Sequence, residues 1–319
     1  MQAEEITAEE SVRRVIYASA PEKNAEFDDI WNQYNPVVDM AEDKVGFTLE
    51  AGAFGLVVFE HKTMCQIWLL GFAAQASFHI YSPYLWLSEG AHFPFSADVV
   101  SGEDAIIPLR DFVSQVFSKI EELRDSNSQS EFVWPAGIPS PEQGKPKDIN
   151  GSVVFDLLCM AAAYCFLHEI NHVILSASNH GMNKKQEEHA CDGFARDFLL
   201  GSINEYSQSS GYDIGLLKTK RSMAIAIASV LLFVITPEER WADSEDHPPV
   251  VDRIKALAEY SDLPKNDPCW IYLSCLILSV MAYRGINAGQ CHINSQKEYC
   301  LHLLASVDSH LTVRSTGRP

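Results

Sequence analysis

Cys165-Phe166-Leu167-His168-Glu169-Ile170-Asn171-His172 reads H-E-x-x-H near the end of an apolar run that begins at Ser152. On a helix, residues four apart leave the same face one turn apart, so His168 and His172 present two imidazoles to one point. That is the spacing two nitrogens need to share a zinc ion, with Glu169 beside it to take a proton from water. The run from Ser152 to Ser176 is apolar on nearly all sides, the mark of a helix buried in a core. A His-Glu-His cluster is costly there unless a metal or hydrogen-bond partners compensate it. Hydrogen-bonded core histidines are the bland alternative.

The next segment, Glu187-Glu188-His189-Ala190-Cys191-Asp192, can complete the set. Glu188 and Asp192 are four apart on a helix expected from about Gln186 to Leu200. Glu188 is the expected third ligand, and Asp192 is expected to accept the free N–H of a ligating histidine, which fixes its tautomer. Glu187 is adjacent and remains a rival, and both glutamates also suit a solvated helix N-terminus. A His₂Glu set leaves one position open for water, the catalytic rather than the structural arrangement. His180 and His189 have no partner at ligand spacing.

Outward from this pair of helices, the C-terminal half reads as helical throughout. Apolar runs predict helices over Ile214–Ile235, Val250–Tyr260, Cys269–Tyr283 and Ile293–Val307. Thr236-Pro237-Glu238-Glu239 has the letters of a capping box for a short helix. Upstream, Trp134–Gly151 holds four prolines and three glycines and reads as a loop. It suggests a division into 1–134, a linker over 135–151, and a helical region over 152–319, which can also be one continuous domain. In the first region, Ser11–Ala18, Glu26–Tyr34 and Leu109–Arg124 have helical spacing, and Lys62–Tyr84 predicts a buried helix ending near Pro83. Val45–Glu60 reads as two strands around Ala51-Gly52. The expected fold class is therefore α+β, mainly α-helical, with a small N-terminal antiparallel β-sheet. The hairpin is either an ordinary core hairpin or the strand along which a peptide is bound.

Composition narrows the function classes. A net charge of −19 repels phosphate backbones and anionic lipid, so a nucleic-acid role is not expected. The apolar runs Met223–Ile235 and Cys269–Tyr283 fall short of the ~18–20 residues of a spanning helix. Buried helices are expected, with no transmembrane span, although a peripheral membrane contact is compatible with them. The eight cysteines show no C-x-x-C and lie mostly in apolar runs, so reduced, buried thiols are expected. The acidic N-terminus lacks a signal-peptide core, and the expected location is cytoplasmic. No G-x-S-x-G supports a serine hydrolase.

FLHEINHVIL followed by EEHACDGFARDFLL resembles the gluzincin branch of zinc peptidases, where H-E-x-x-H on one helix is joined by E-x-x-x-D on the next. His247-Pro248-Pro249-Val250-Val251-Asp252-Arg253-Ile254 resembles the H-P-x-x-x-x-R-I segment of HtpX-type peptidases, which carry long membrane spans. The apolar lead Phe155-Asp156-Leu157-Leu158 into the motif, behind a soluble N-terminal half, is most similar to the Lit-type phage-exclusion peptidases. The motif pair is also similar to that of the ImmA-type group, whose members sit beside phage repressors. The resemblance covers about residues 150–260.

It implies a zincin-like helical core, a Zn2+ cofactor on His168, His172 and Glu188, and Glu169 as general base. It also implies a protein or peptide substrate, with an activating phage or host protein as a further partner. His247 or Arg253 is a candidate for stabilising the oxyanion. Either can instead pair with Glu188 or Asp192, or Asp246-His247-Pro248 can simply open the next helix. The expected function is a zinc-dependent endopeptidase, with phage exclusion as its setting. The alternative is a catalytically silent zinc-binding sensor of ImmA-like type, against which the presence of Glu169 speaks.

Overall fold

The central element is a helix, α6, because its sequence leaves it no polar face to turn to water. The computed structural model describes residues 6–128, 132–178, 181–242 and 247–316. α6 runs over Ile149–Ser178, with Val154, Leu157, Leu158, Ala161, Phe166, Leu167 and Ile170 buried. Among the described residues it is the one helix long and apolar enough to cross a membrane, yet 61% of its apolar window is buried within the fold. The two shorter apolar runs of the sequence lie in α9 (Ile214–Ile235) and α11 (Pro268–Tyr283), both buried along most of their length. Burial in this core accounts for all three runs.

Around α6 pack α1 (Ala8–Ser19), α3 (His61–Ser88), α7 (Lys184–Leu200) and α9. α5 (Ile107–Asp125) and α11 pack on α3, and α10 (Val250–Tyr260) and α12 (Gln296–Thr316) close the C-terminal side. One cluster of buried residues runs without a break from Val12 to Val307. α2 (Asn24–Tyr34), α4 (Ala97–Ser101) and α8 (Ile203–Ser210) are the remaining α-helices among the described residues.

Local chemistry sets most boundaries. α7 begins where Asn183 accepts from the Gln186 amide at 2.9 Å while the Gln186 side chain accepts from the Asn183 amide at 3.1 Å, a reciprocal cap. Asp213 caps α9 through the Leu216 amide, and Asp267 caps α11 through the Cys269 amide. Lys62, fully buried, donates its ammonium to the carbonyls of Leu123, Arg124 and Ser126 and so closes the C-terminus of α5.

Several sequence expectations need correction. α3 does not end at Pro83 but continues to Ser88. A proline removes one backbone hydrogen bond, and here the last turns bury Leu85 and Ser88 against the core. The N-terminal sheet is mixed, not purely antiparallel. β2 (Leu49–Ala51) and β3 (Leu56–Glu60) form the expected antiparallel pair, but β1 (Val37–Ala41) joins β3 in parallel, giving the order β1-β3-β2. The turn between β2 and β3 is a 3₁₀ turn at Ala53–Gly55 rather than Ala51-Gly52. A second, two-stranded sheet pairs β4 (Phe95–Ser96) with β5 (Gln290–Cys291). Thr236 does not cap a helix: the short 3₁₀ turn Glu238–Arg240 has Pro237 at its cap position and no side-chain cap bond. α10 starts after Pro249, not at Pro248, and both Asp246, read as its cap, and His180 lie outside the described residues.

Candidate metal centre

The last third of α6 carries His168, Glu169 and His172, and α7 lies against it. The phase set by the Asn183–Gln186 cap turns Glu187, Glu188, Cys191 and Asp192 toward α6. His168 and His172 face each other with their Nε2 atoms 3.1 Å apart. The Nδ1 atom of His168 lies 2.9 Å from Asp192 Oδ1, and that of His172 lies 2.7 Å from Glu187 Oε1. A carboxylate accepts only, so each imidazole carries its proton on Nδ1 and turns an Nε2 lone pair inward in its neutral form. Glu188 completes the ring of bases, with Oε2 3.5 Å from the Nε2 of His168 and Oε1 3.5 Å from the Nε2 of His172. Once both imidazoles are neutral, two lone pairs and a carboxylate thus converge on one point. That convergence is unfavourable without a positive charge between them, and it is the donor chemistry a zinc-class cation takes.

The electrostatics agree. Burial opposes a charge on His168, but hydrogen bonds to Asp192 and Glu188 outweigh it and push its pKa up to about 9. For His172 burial is again outweighed, by Cys191, Glu188 and Glu187, and the pKa rises to about 11. Burial pulls Glu188 upward, yet the two histidines and Arg253 hold it far below the ordinary carboxylate range. Asp192 is likewise lowered against its burial, mainly by the charge of Arg253.

Arg253 comes from α10, and its side chain is mostly buried, 14% exposed. Its Nη1 donates to Asp192 Oδ1 at 3.0 Å and its Nη2 to Glu188 Oε2. Tyr164 also donates to Asp192 Oδ1, at 3.3 Å. His247 stands at the rim, its side chain 69% exposed, with Nδ1 3.7 Å from Glu188 Oε1. Of the two residues named for a role beyond the helices, Arg253 is thus tied into the carboxylate pair, and His247 remains on the solvent side of it. His189 forms no part of this cluster.

Glu169 reaches the sheet while staying close enough to His168, His172 and Glu188 for their charges to act on it. The amide of Ala51, the last residue of β2, donates to Glu169 Oε2 at 2.7 Å across 118 residues of chain. Burial raises the Glu169 pKa above its ordinary value. β2 is an edge strand in the order β1-β3-β2, so the hairpin lies alongside this carboxylate. No local signal in the sequence pairs Ala51 with Glu169.

Cys191 is the residue sequence reasoning passed over. It is fully buried, accepts from Asn171 Nδ2 at 3.4 Å, and offers its sulfur within 4.8 Å of ligand atoms of both His168 and His172. His168, His172 and Cys191 are therefore a second donor set in the same place. The signal was available: Cys191 is three residues after Glu188 and shares its helix face.

Neither the curated proteins nor the solved structures contain a match to this chain. A family model does match: that of Peptidase U49 covers residues 57–273, about two thirds of the chain, and spans α3, α6, α7, α9 and α10 with every residue of the cluster just described. The converging base cluster on two core helices and the buried Glu169 carboxylate lie within that stretch, with the edge strand that ends at Ala51 just outside it, and the chain belongs to the Peptidase U49 family.

Proposed function

We propose that this peptidase is a zinc-dependent endopeptidase, with His168, His172 and Glu188 holding the metal and Glu169 serving as general base. The observation that carries the reading is the pair of Nε2 atoms 3.1 Å apart, each 3.5 Å from a Glu188 oxygen, with both Nδ1 atoms already committed to carboxylates. Glu188 is preferred to Glu187 because Glu187 is occupied on the far side of His172. It is preferred to Cys191 because a Glu188 oxygen faces each Nε2 and Arg253 braces that carboxylate from behind. The His₂Glu set is the one that leaves a catalytic position open.

A zinc ion there would supply a Lewis acid that lowers the pKa of a coordinated water toward neutrality and polarises the scissile carbonyl. Glu169 takes the proton of the attacking water and delivers it to the leaving amine. The Ala51 amide fixes the Glu169 carboxylate, and its burial lifts the pKa toward the operating range. Asp192 and Glu187 hold the two imidazoles in the Nδ1–H tautomer, and Arg253 locks Asp192 and Glu188 together. His247, exposed beside Glu188, is assigned to the oxyanion that forms on the carbonyl. An extended substrate adds to the edge of β2, which brings its backbone alongside Glu169. The phage-exclusion setting, with an activating phage or host protein, rests on the resemblance of the motif region alone.

The test is metal analysis and a peptide-library cleavage assay on wild type and Glu169→Gln. The variant should retain the wild-type zinc content and lose cleavage by roughly 10²-fold or more, the scale of general-base catalysis. Wild-type turnover in Glu169→Gln would remove Glu169 from the mechanism, and a metal-free active wild type would end the zinc reading.

A further inference from the structure

A second constellation of metal-binding side chains lies away from α7, at the start of α3. His61 is the first residue of α3 and Cys65 is one turn later on the same face. Glu142 reaches them from the 3₁₀ turn Pro141–Gln143, in the proline-rich segment that precedes α6. The Cys65 sulfur is 4.0 Å from His61 Nδ1, and Glu142 Oε1 is 3.6 Å from His61 Nε2. One donor atom from each of the three lies within 4.8 Å of the other two.

We propose that His61, Cys65 and Glu142 form a second metal site, which takes a zinc-class divalent ion and staples the proline-rich segment to α3. A histidine–carboxylate separation of 3.6 Å is too long for a good hydrogen bond. It is close to the spacing of neighbouring ligands around tetrahedral zinc, about 3.3–3.8 Å for bonds of ~2.0–2.3 Å. Nδ1 of His61 faces Cys65 and Nε2 faces Glu142, so rotation of the half-exposed His61 and Glu142 side chains is what brings one nitrogen, the thiolate and the carboxylate onto a single ion. Thiolate, imidazole and carboxylate together suit zinc rather than magnesium or calcium.

The orientation of the groups supports the same reading. Ser140 donates to the other oxygen of Glu142, Oε2, and leaves Oε1 turned to His61. Cys65 is fully buried, while the His61 and Glu142 side chains are 42% and 54% exposed, so an ion can enter from solvent and leave one position for water. The segment is already seated here by a different bond, from Trp68 Nε1 on α3 to the carbonyl of Pro139 at 2.8 Å. The site would also fix the junction at which β3 passes into α3, and β3 is the partner of the strand that holds Glu169.

The test uses the full chain, stripped with chelator and reloaded with Co2+. Wild type should bind two equivalents and show the near-ultraviolet thiolate-to-cobalt charge-transfer band. Cys65→Ser should bind one equivalent and lose the band. Cys191→Ser, the control for the thiol beside the other site, should keep both. Glu142→Gln changes a half-exposed side chain and should weaken one of the two equivalents at least tenfold with an unchanged far-ultraviolet spectrum. The proposal is overturned if Cys65→Ser leaves the cobalt content and the band of wild type intact, or if only Cys191→Ser removes the band. Should wild type bind a single equivalent that Cys65→Ser abolishes, the second site stands and the zinc assignment at His168 and His172 falls, so the two readings fail separately.

Discussion

Metal binding at the histidine pair should expel protons, because the neighbouring carboxylates raise both imidazoles above their ordinary pKa. Without a metal, carboxylates outweigh burial and hold His168 protonated up to about pH 9 and His172 up to about pH 11. A metal takes the neutral imidazole, so each histidine must lose its proton on binding. Below about pH 7, a water on zinc keeps its own proton and adds nothing to the count. Titrating zinc into the stripped protein at pH 6.5 should therefore release close to two protons from this site. The apparent affinity should tighten about 100-fold per pH unit in that range, the slope of a two-proton exchange. Isothermal titration calorimetry in buffers of different ionisation enthalpy reads the count directly, and a competing chelator reads the slope. The measurement is made on Cys65→Ser, so that one site alone is loaded.

The sign has a counterpart in stability. Both histidines have folded pKa values above the unfolded value of about 6.5, so their stabilisation of the metal-free fold is complete below pH 6.5. It is lost as pH rises through about 9 and then about 11. The metal-free protein should accordingly unfold at lower urea at pH 9.5 than at pH 6.5. Release of fewer than about one proton at pH 6.5 would refute the picture, because it would mean that the carboxylates do not hold these imidazoles charged.

The remaining predictions separate brace from core and strain. Asp192→Asn removes the carboxylate behind His168 and should weaken zinc affinity about 10–100-fold, read by chelator competition. Gly71→Val should destabilise the protein by ~1–3 kcal/mol in urea unfolding, because a Cβ at Gly71 would sit 2.5 Å from Leu158 Cδ2 where α3 crosses α6; an unchanged midpoint would mean that this crossing is loose. Phe54→Gly should instead stabilise by roughly 0.5–1 kcal/mol. Phe54 is fully exposed at φ 60°, so relief of left-handed strain exceeds the entropy cost of glycine.

Local spacing made part of this protein readable. His168 and His172 share a face because any helix puts residues four apart on one side, and the same rule groups Glu188 with Asp192. The apolar run ahead of them forced α6 into the core, and α9 falls on the bounds its apolar pattern gave, Ile214–Ile235. Even the phase of α7 was written locally, in Asn183 and Gln186, although the helix starts at Lys184, two residues before the start its pattern suggested.

What the tertiary structure alone decided are the contacts between elements far apart in the chain. A parallel strand leaves no turn in the sequence, so nothing local marks β1 or its pairing with β3. Pro83 predicts a helix end near it, but burial of the residues beyond it outweighs one missing hydrogen bond. The bond from Ala51 to Glu169, the grip of Arg253 on Glu188 and Asp192, and the place of Cys191 behind the histidines depend on how helices and sheet pack. Periodicity fixes which residues of one element face the same way. Only packing fixes what stands opposite them, and here what stands opposite turns a three-letter motif into a ring of bases around one point.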